Sequence, residues 1–134
     1  MLDFNNEIFT AVASAVRGSH TGTTVTGEFT RSQSKFPAVN LDEIQNVMVE
    51  RLEDSSNEEK FAGVTYRLRV ASNKLSGRKS EARSIFATAD AEMRRMGFRR
   101  VTYTTTPEIY DSTVYEIIAT YEAVVSAAGY VYKR

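Results

Sequence analysis

The sequence predicts an α+β fold, a mainly antiparallel sheet with two helices packed on one face, and three observations carry that expectation. Residues 4–17 and 78–96 repeat apolar side chains at the spacing of a helix. Residues 63–72 and 113–126 alternate apolar and polar side chains with a period of two, as half-buried strands do. The order runs helix, several strands, helix, two strands, without the regular alternation of a parallel sheet, so both helices are expected on one side.

Phe4, Ile8, Ala11, Val12 and Ala15 make the apolar stripe of the first helix. Asp3 is placed to cap it, Glu7 suits the positive end of its dipole, and Gly18 is the expected stop. Residues 19–30 are rich in Thr, Ser and Gly, and only Val25 to Phe29 reads as a strand there, at a sheet edge. Phe36 to Ile44 follows, with Pro37 near its start, where a missing N–H is tolerated. Residues 44–52 read two ways: Ile44, Val47, Met48, Arg51 and Leu52 fit a helical stripe, while Val47 and Val49 fit a strand. Asp54-Ser55-Ser56-Asn57-Glu58-Glu59 is a polar loop without apolar anchors.

Gly63 to Ser72 is the clearest strand, with Val64, Tyr66, Leu68 and Val70 on one face and Thr65, Arg67 and Arg69 on the other. Turn chemistry at Ser72-Asn73-Lys74-Leu75-Ser76-Gly77 leads into the second helix. Its stripe is Ala82, Ile85, Phe86, Ala89, Met93 and Met96, and Gly97 ends it. Phe98 to Thr105 is a strand broken by Pro107. The last strand, Thr113 to Ser126, turns Tyr115, Ile117, Ala119, Tyr121, Ala123 and Val125 inward and Glu116, Thr120 and Glu122 outward. The sheet face bearing Arg67, Arg69, Glu116 and Glu122 is therefore left for water or a partner.

At 134 residues the chain fits one soluble domain, residues 1–134, able to hold a core without disulfides or metal. It has no cysteine, which removes thiolate chemistry and cysteine-ligated zinc, and one histidine, His20, which cannot build a triad or metal site alone. No apolar run approaches the roughly 20 residues that span a bilayer. Met1-Leu2-Asp3-Phe4 lacks the basic start of a signal peptide, so synthesis in the cytoplasm is expected. The 17 basic and 17 acidic residues balance, yet they are segregated. Residues 42–66 hold seven acids and two bases, whereas residues 67–100 hold ten bases and three acids.

No motif supplies a reaction. Gly77-Arg78-Lys79-Ser80 echoes the end of a phosphate-binding loop, but Arg78 stands where glycine should precede the lysine. Glu116 and Glu122 share a strand face but lie about 20 Å apart at roughly 3.3 Å per residue, too far to act on one bond. His20 sits among Ser, Thr and Gly without a nucleophile to serve, and reads as a solvated side chain. The basic block could bind phosphates without sequence preference, but the neutral total and the lack of an aromatic platform argue against a small nucleic-acid-binding domain. Acidic and basic surfaces on one small chain would instead match each other if copies packed head to tail, a contact that closes into rings at the right rotation.

Several strings together resemble a family. They are Phe36-Pro37-Ala38-Val39, the Asp54-Ser55-Ser56 loop with Glu58, the strand Val64 to Val70, Ser72-Asn73-Lys74 and Ser76-Gly77-Arg78-Lys79-Ser80-Glu81-Ala82. Met96-Gly97-Phe98-Arg99-Arg100, the Pro107 segment, Thr113-Val114-Tyr115 and Tyr121-Glu122-Ala123-Val124-Val125 continue the likeness in order. Across residues 1–130 the chain resembles the tail-completion, or tail-terminator, proteins of tailed bacteriophages and prophages, which are often labelled minor capsid or head–tail joining proteins. The resemblance implies that residues 45–52 continue the strand from Phe36 and pair with 61–71 as a long β-hairpin arm tipped by the acidic loop.

It also implies a non-enzymatic structural protein without cofactor. The subunit would form a homo-oligomeric ring, often a hexamer, in the virion at the head–tail junction. Such a ring caps the tail tube and meets the tail-tube protein on one side and the head connector on the other, while DNA passes through its lumen without specific binding. A head-closure or connector role on the capsid side is the alternative. The interface residues expected on this reading are Glu50, Glu53, Asp54, Glu58 and Glu59 at the hairpin tip, Arg67 and Arg69 on the sheet, and Lys74, Arg78 and Lys79 at the following turn.

Overall fold

The computed structural model describes residues 5–27, 36–48, 61–74, 76–105, 115–126 and 131–132. Its elements are α1 (Asn5–Ser19), β1 (Thr24–Thr26), β2 (Ala38–Met48), β3 (Phe61–Ser72), α2 (Arg78–Arg95), β4 (Arg99–Thr105), β5 (Tyr115–Ser126) and β6 (Val131–Tyr132). The strands lie in one sheet in the order β1-β2-β3-β5-β4, with β6 beside the end of β5. Every pairing is antiparallel except β1 with β2, which is parallel. The fold is α+β and mainly antiparallel, as the pattern of apolar residues predicts.

Both helices cover one face. Ile8, Val12, Ala13 and Val16 of α1 and Ala82, Ile85, Phe86, Ala89 and Met93 of α2 join Val64, Tyr66, Leu68 and Val70 of β3 and Ile117, Ala119, Tyr121 and Val125 of β5 in a single buried cluster. At its centre the Tyr66 ring meets the Phe98 ring edge-on, with centroids 5.5 Å apart and planes at 87°. Burying a leucine or isoleucine in such a cluster is worth about 1.5–3 kcal/mol each, so this shared core holds helices and sheet together.

The helix ends separate two glycines that look alike in sequence. Gly97 has φ 98° and closes α2: its N–H donates to the Arg94 carbonyl at 2.9 Å, and the Phe98 N–H donates to the Met93 carbonyl at 3.0 Å. This is a Schellman cap, in which the residue after the glycine packs back on the core. Gly18 does not stop α1, which runs on to Ser19, and the His20 N–H donates to the Val16 carbonyl at 2.7 Å. The left-handed residue that turns the chain there is Gly22, at φ 86°.

In the Thr-rich stretch the strand occupies Thr24–Thr26, earlier and shorter than expected, and lies at the sheet edge beside the start of β2. The ambiguity at residues 44–52 resolves to strand as far as Met48, which pairs with Ala62. Residues 49–60, including the whole expected hairpin tip, lie outside the described residues. Between Glu43 and Gln45 the register shifts, leaving Ile44 as an inserted bulge residue. Ahead of it Val39, Leu41 and Glu43 stand opposite Val70, Leu68 and Tyr66; beyond it Asn46 and Met48 take over opposite Val64 and Ala62. A second shift between Arg100 and Thr102 makes Val101 the bulge of β4.

Candidate interaction surface

The sheet face turned away from the helices is built from the odd positions of β3. Residues opposite one another across a sheet share a face, so the register reads off its rows. Asn40, Arg69, Ile118 and Thr104 form one row, Asp42, Arg67, Thr120 and Thr102 the next, and Gln45, Thr65, Glu122 and Arg99 a third. Asn40 is buried and donates through Nδ2 to the Thr26 carbonyl and hydroxyl oxygens, each at 3.3 Å, tying β1 to this face. The Thr102 and Thr120 hydroxyls lie 2.7 Å apart.

Arg67 and Arg69 both project from this face, as the alternation predicts, but their settings differ. Arg69 Nη1 lies 3.6 Å from Glu116 Oε1, and the two side chains are 17% and 14% exposed, so this ion pair is largely out of water. Arg67 is half-buried, opposite Asp42 and Thr120 in register, with no ion pair among the described residues. Arg99 Nη2 reaches Glu122 Oε1 at 3.1 Å across the exposed edge. Three arginines thus share the face with Asp42, Glu116 and Glu122, and its charge is locally balanced.

The basic block divides in a similar way. At the C-terminal end of α2 and the start of β4, every arginine has a carboxylate. Arg94 Nε is 3.1 Å from Asp90 Oδ2, Arg100 Nη1 3.2 Å from Asp90 Oδ1, and Arg95 Nε 2.8 Å from Glu92 Oε1. The hydrogen bond from Arg95 holds the Glu92 carboxyl below the usual carboxylate range. At the opposite end of α2, Lys74, Lys79 and Arg83 are exposed and have no carboxylate partner among the described residues. The turn that carries Lys74 is anchored: the buried Ser72 hydroxyl donates to Glu81 Oε1 at 2.6 Å and accepts from the Lys74 N–H at 3.3 Å. Arg78 opens α2, and its side chain lies outside the description, as do Glu50, Glu53, Asp54, Glu58 and Glu59.

Sequence patterning does not reveal the polar node beneath β4. Asp90 Oδ1 accepts a 2.6 Å hydrogen bond from the Tyr121 hydroxyl as well as the bond from Arg100. The Arg100 guanidinium carbon sits 5.9 Å from the Phe86 ring centroid and 5.6 Å from that of Tyr103, and those two rings meet edge-on. Tyr121 is expected inward from its strand period, but nothing in the spacing foretells its partner 31 residues away. His20 is likewise more than a solvated side chain: its Nε2 lies 2.9 Å from Thr88 Oγ1, bridging the end of α1 to α2.

Burial, and then the bond to Asp90, raise the Tyr121 phenol well above its ordinary value of about 10. A group whose folded pKa is raised contributes stability that is complete below the unfolded value and is lost as pH rises past it. Above pH 10 the stability advantage of the native chain over Tyr121→Phe should therefore shrink by about 1.4 kcal/mol per pH unit. Urea unfolding of both proteins between pH 9 and 11.5 measures this, and a difference that stays constant would show that Tyr121 ionises as readily folded as unfolded.

Among the described residues no group of three His, Asp or Glu side chains is placed to hold a metal ion, and no helix is long and apolar enough to cross a membrane. No protein-family model matches the chain, and no characterised protein matches it in sequence.

Proposed function

We propose that this chain is the subunit of a ring that terminates the tail tube of a tailed bacteriophage and joins it to the head connector. The observation that carries this reading is the β2–β3 pairing. Residues 38–48 and 61–72 form one long antiparallel ladder, the hairpin that the resemblance to tail-completion proteins implies and that a helix at 44–52 would have abolished. A polar, charge-balanced sheet face and an anchored basic turn at Lys74 agree with a protein whose work is contact with other proteins. The partners on this reading are further copies of the chain, the tail-tube protein and the connector, with DNA passing through the lumen.

Deleting the gene from its phage or prophage tests the role. Loss of the terminator should leave tails of uncontrolled length beside unjoined, filled heads, and electron microscopy of the purified chain should show rings. Tails of normal length beside heads that leak DNA would instead assign the chain to head closure on the capsid side. Normal infectious particles would overturn both roles.

A further inference from the structure

The two outer strands of the sheet are unfinished, and they match each other. β1 covers only Ala38 to Asn40 of β2, so among the described residues Leu41 to Met48 has no strand on its outer side. At the opposite border β4 offers seven residues, all of them exposed, and again no strand lies beyond it. The exposed large apolar side chains of the described residues are confined to these borders: Ile44 and Val47 on β2, Val101 and Tyr103 on β4, each 39–47% exposed. Natural sheets usually blunt such borders with lysine, proline or covering segments. Here neither Leu41–Met48 nor Arg99–Thr105 contains a lysine or a proline. Each strand also has a bulge, and each bulge residue, Ile44 or Val101, is one of the exposed apolar side chains.

We infer that β4 of one copy pairs with the free edge of β2, residues 41–48, of the next copy, so that assembly proceeds by continuation of the sheet. This rests on the ring reading and names the surfaces that make the ring. Strand direction favours it: β2, β3, β5 and β4 alternate in sense, so β4 runs opposite to β2. A neighbour related by rotation about an axis along the strands therefore presents its β2 antiparallel to β4, the more stable ladder. Charge favours it as well. The β2 border carries Asp42 and Glu43, the β4 border Arg99 and Arg100. Joining unlike borders sets opposite charges side by side, whereas β2 on β2 or β4 on β4 would oppose like charges, which destabilise a ladder. The contact is therefore head to tail, the kind that closes into rings.

The test uses the full chain with one border altered at a time. Ile44→Lys/Val47→Lys places cations on the β2 border, and Val101→Lys/Thr104→Lys does so on β4. Native mass spectrometry should find the unaltered chain in assemblies larger than dimers and each variant as a monomer. A mixture of the two variants should give a dimer and nothing larger, because each retains the border that the other has lost. Hydrogen exchange on the unaltered chain needs no variant to fold: amides of residues 41–48 and 99–105 should exchange at least about tenfold more slowly in the assembly than in a dilute monomer. Assemblies that survive in both variants, a mixture that remains monomeric, or edge amides unchanged by dilution would overturn the edge pairing and leave the ring reading standing. An unaltered chain that is monomeric at every concentration would overturn the ring reading itself.

Discussion

Replacing Asp90 with alanine should cost the domain about 3 kcal/mol of unfolding free energy, the range found when one member of a buried, hydrogen-bonded charge network is removed. The Asp90 side chain is 14% exposed and answers three donors at once: the Tyr121 hydroxyl, Arg100 and Arg94. Arg94 is more than half exposed and can turn to water, so its bond adds little. Tyr121 cannot. It is fully buried, and without Asp90 its hydroxyl loses its acceptor in the core, a penalty of about 1–3 kcal/mol. The remainder comes from Arg100, held over Phe86 and Tyr103 without its counter-ion.

Urea unfolding of Asp90→Ala, Tyr121→Phe and the double variant forms a cycle that isolates the pair. The double variant should be more stable than the sum of the single losses predicts, because removing the phenolic hydroxyl relieves the orphan. Asp90→Asn, which still offers an acceptor oxygen, should lose about half as much as the alanine variant. A loss below about 1 kcal/mol for Asp90→Ala would mean that the node contributes no more than a surface ion pair. The consequence for assembly is direct. Arg100 lies on β4 and ties that strand to α2 through Asp90, so the border offered to a neighbour is only as firm as this node.

The parts of the fold legible in the sequence are those where apolar period and secondary structure agree without interruption. β3 and β5 alternate cleanly, and their inward sets, Val64 to Val70 and Ile117 to Val125, are the sets buried in the core. β2 is harder for a physical reason. Its bulge at Ile44 adds one residue and shifts the phase of the alternation, so the apolar residues Ile44, Val47 and Met48 fall at offsets of three and four, which is the spacing of a helix. Gly18 and Gly97 carry the same stop signal in sequence, but only Gly97 takes a left-handed conformation, because Phe98 behind it has a core to pack into. β6 is two residues long and has no period to detect.

The charge segregation was visible as a sum over segments but not as a pattern of pairs. Arg94, Arg95, Arg99 and Arg100 look like a basic patch in sequence, and folding brings Asp90, Glu92 and Glu122 to them. Two of those carboxylates come from the same helix at offsets of three and four; Glu122 comes from across the sheet, where only the strand register could have placed it.

Reversing Arg69 to glutamate should destabilise the folded domain by about 3 kcal/mol, whereas reversing its neighbour Arg67 should cost no more than about 1 kcal/mol. Both side chains lie on the face away from the helices, and what separates them is solvent. Arg69 and Glu116 are mostly buried against each other, so a second carboxylate at 69 would put like charges together with little water to screen them. Arg67 is half-exposed; a glutamate there faces Asp42 across the ladder, where the repulsion is weakened by solvent. Chemical unfolding of the two single variants and of Arg69→Glu/Glu116→Arg measures the difference, and the exchanged pair should recover a substantial part of the loss. Equal and small losses at both positions would show that the Arg69–Glu116 pair is screened like any surface pair. The distinction decides how an assembly defect is read. A ring lost in Arg69→Glu reports on the fold, while a ring lost in Arg67→Gln at unchanged melting temperature would place Arg67 in the contact itself.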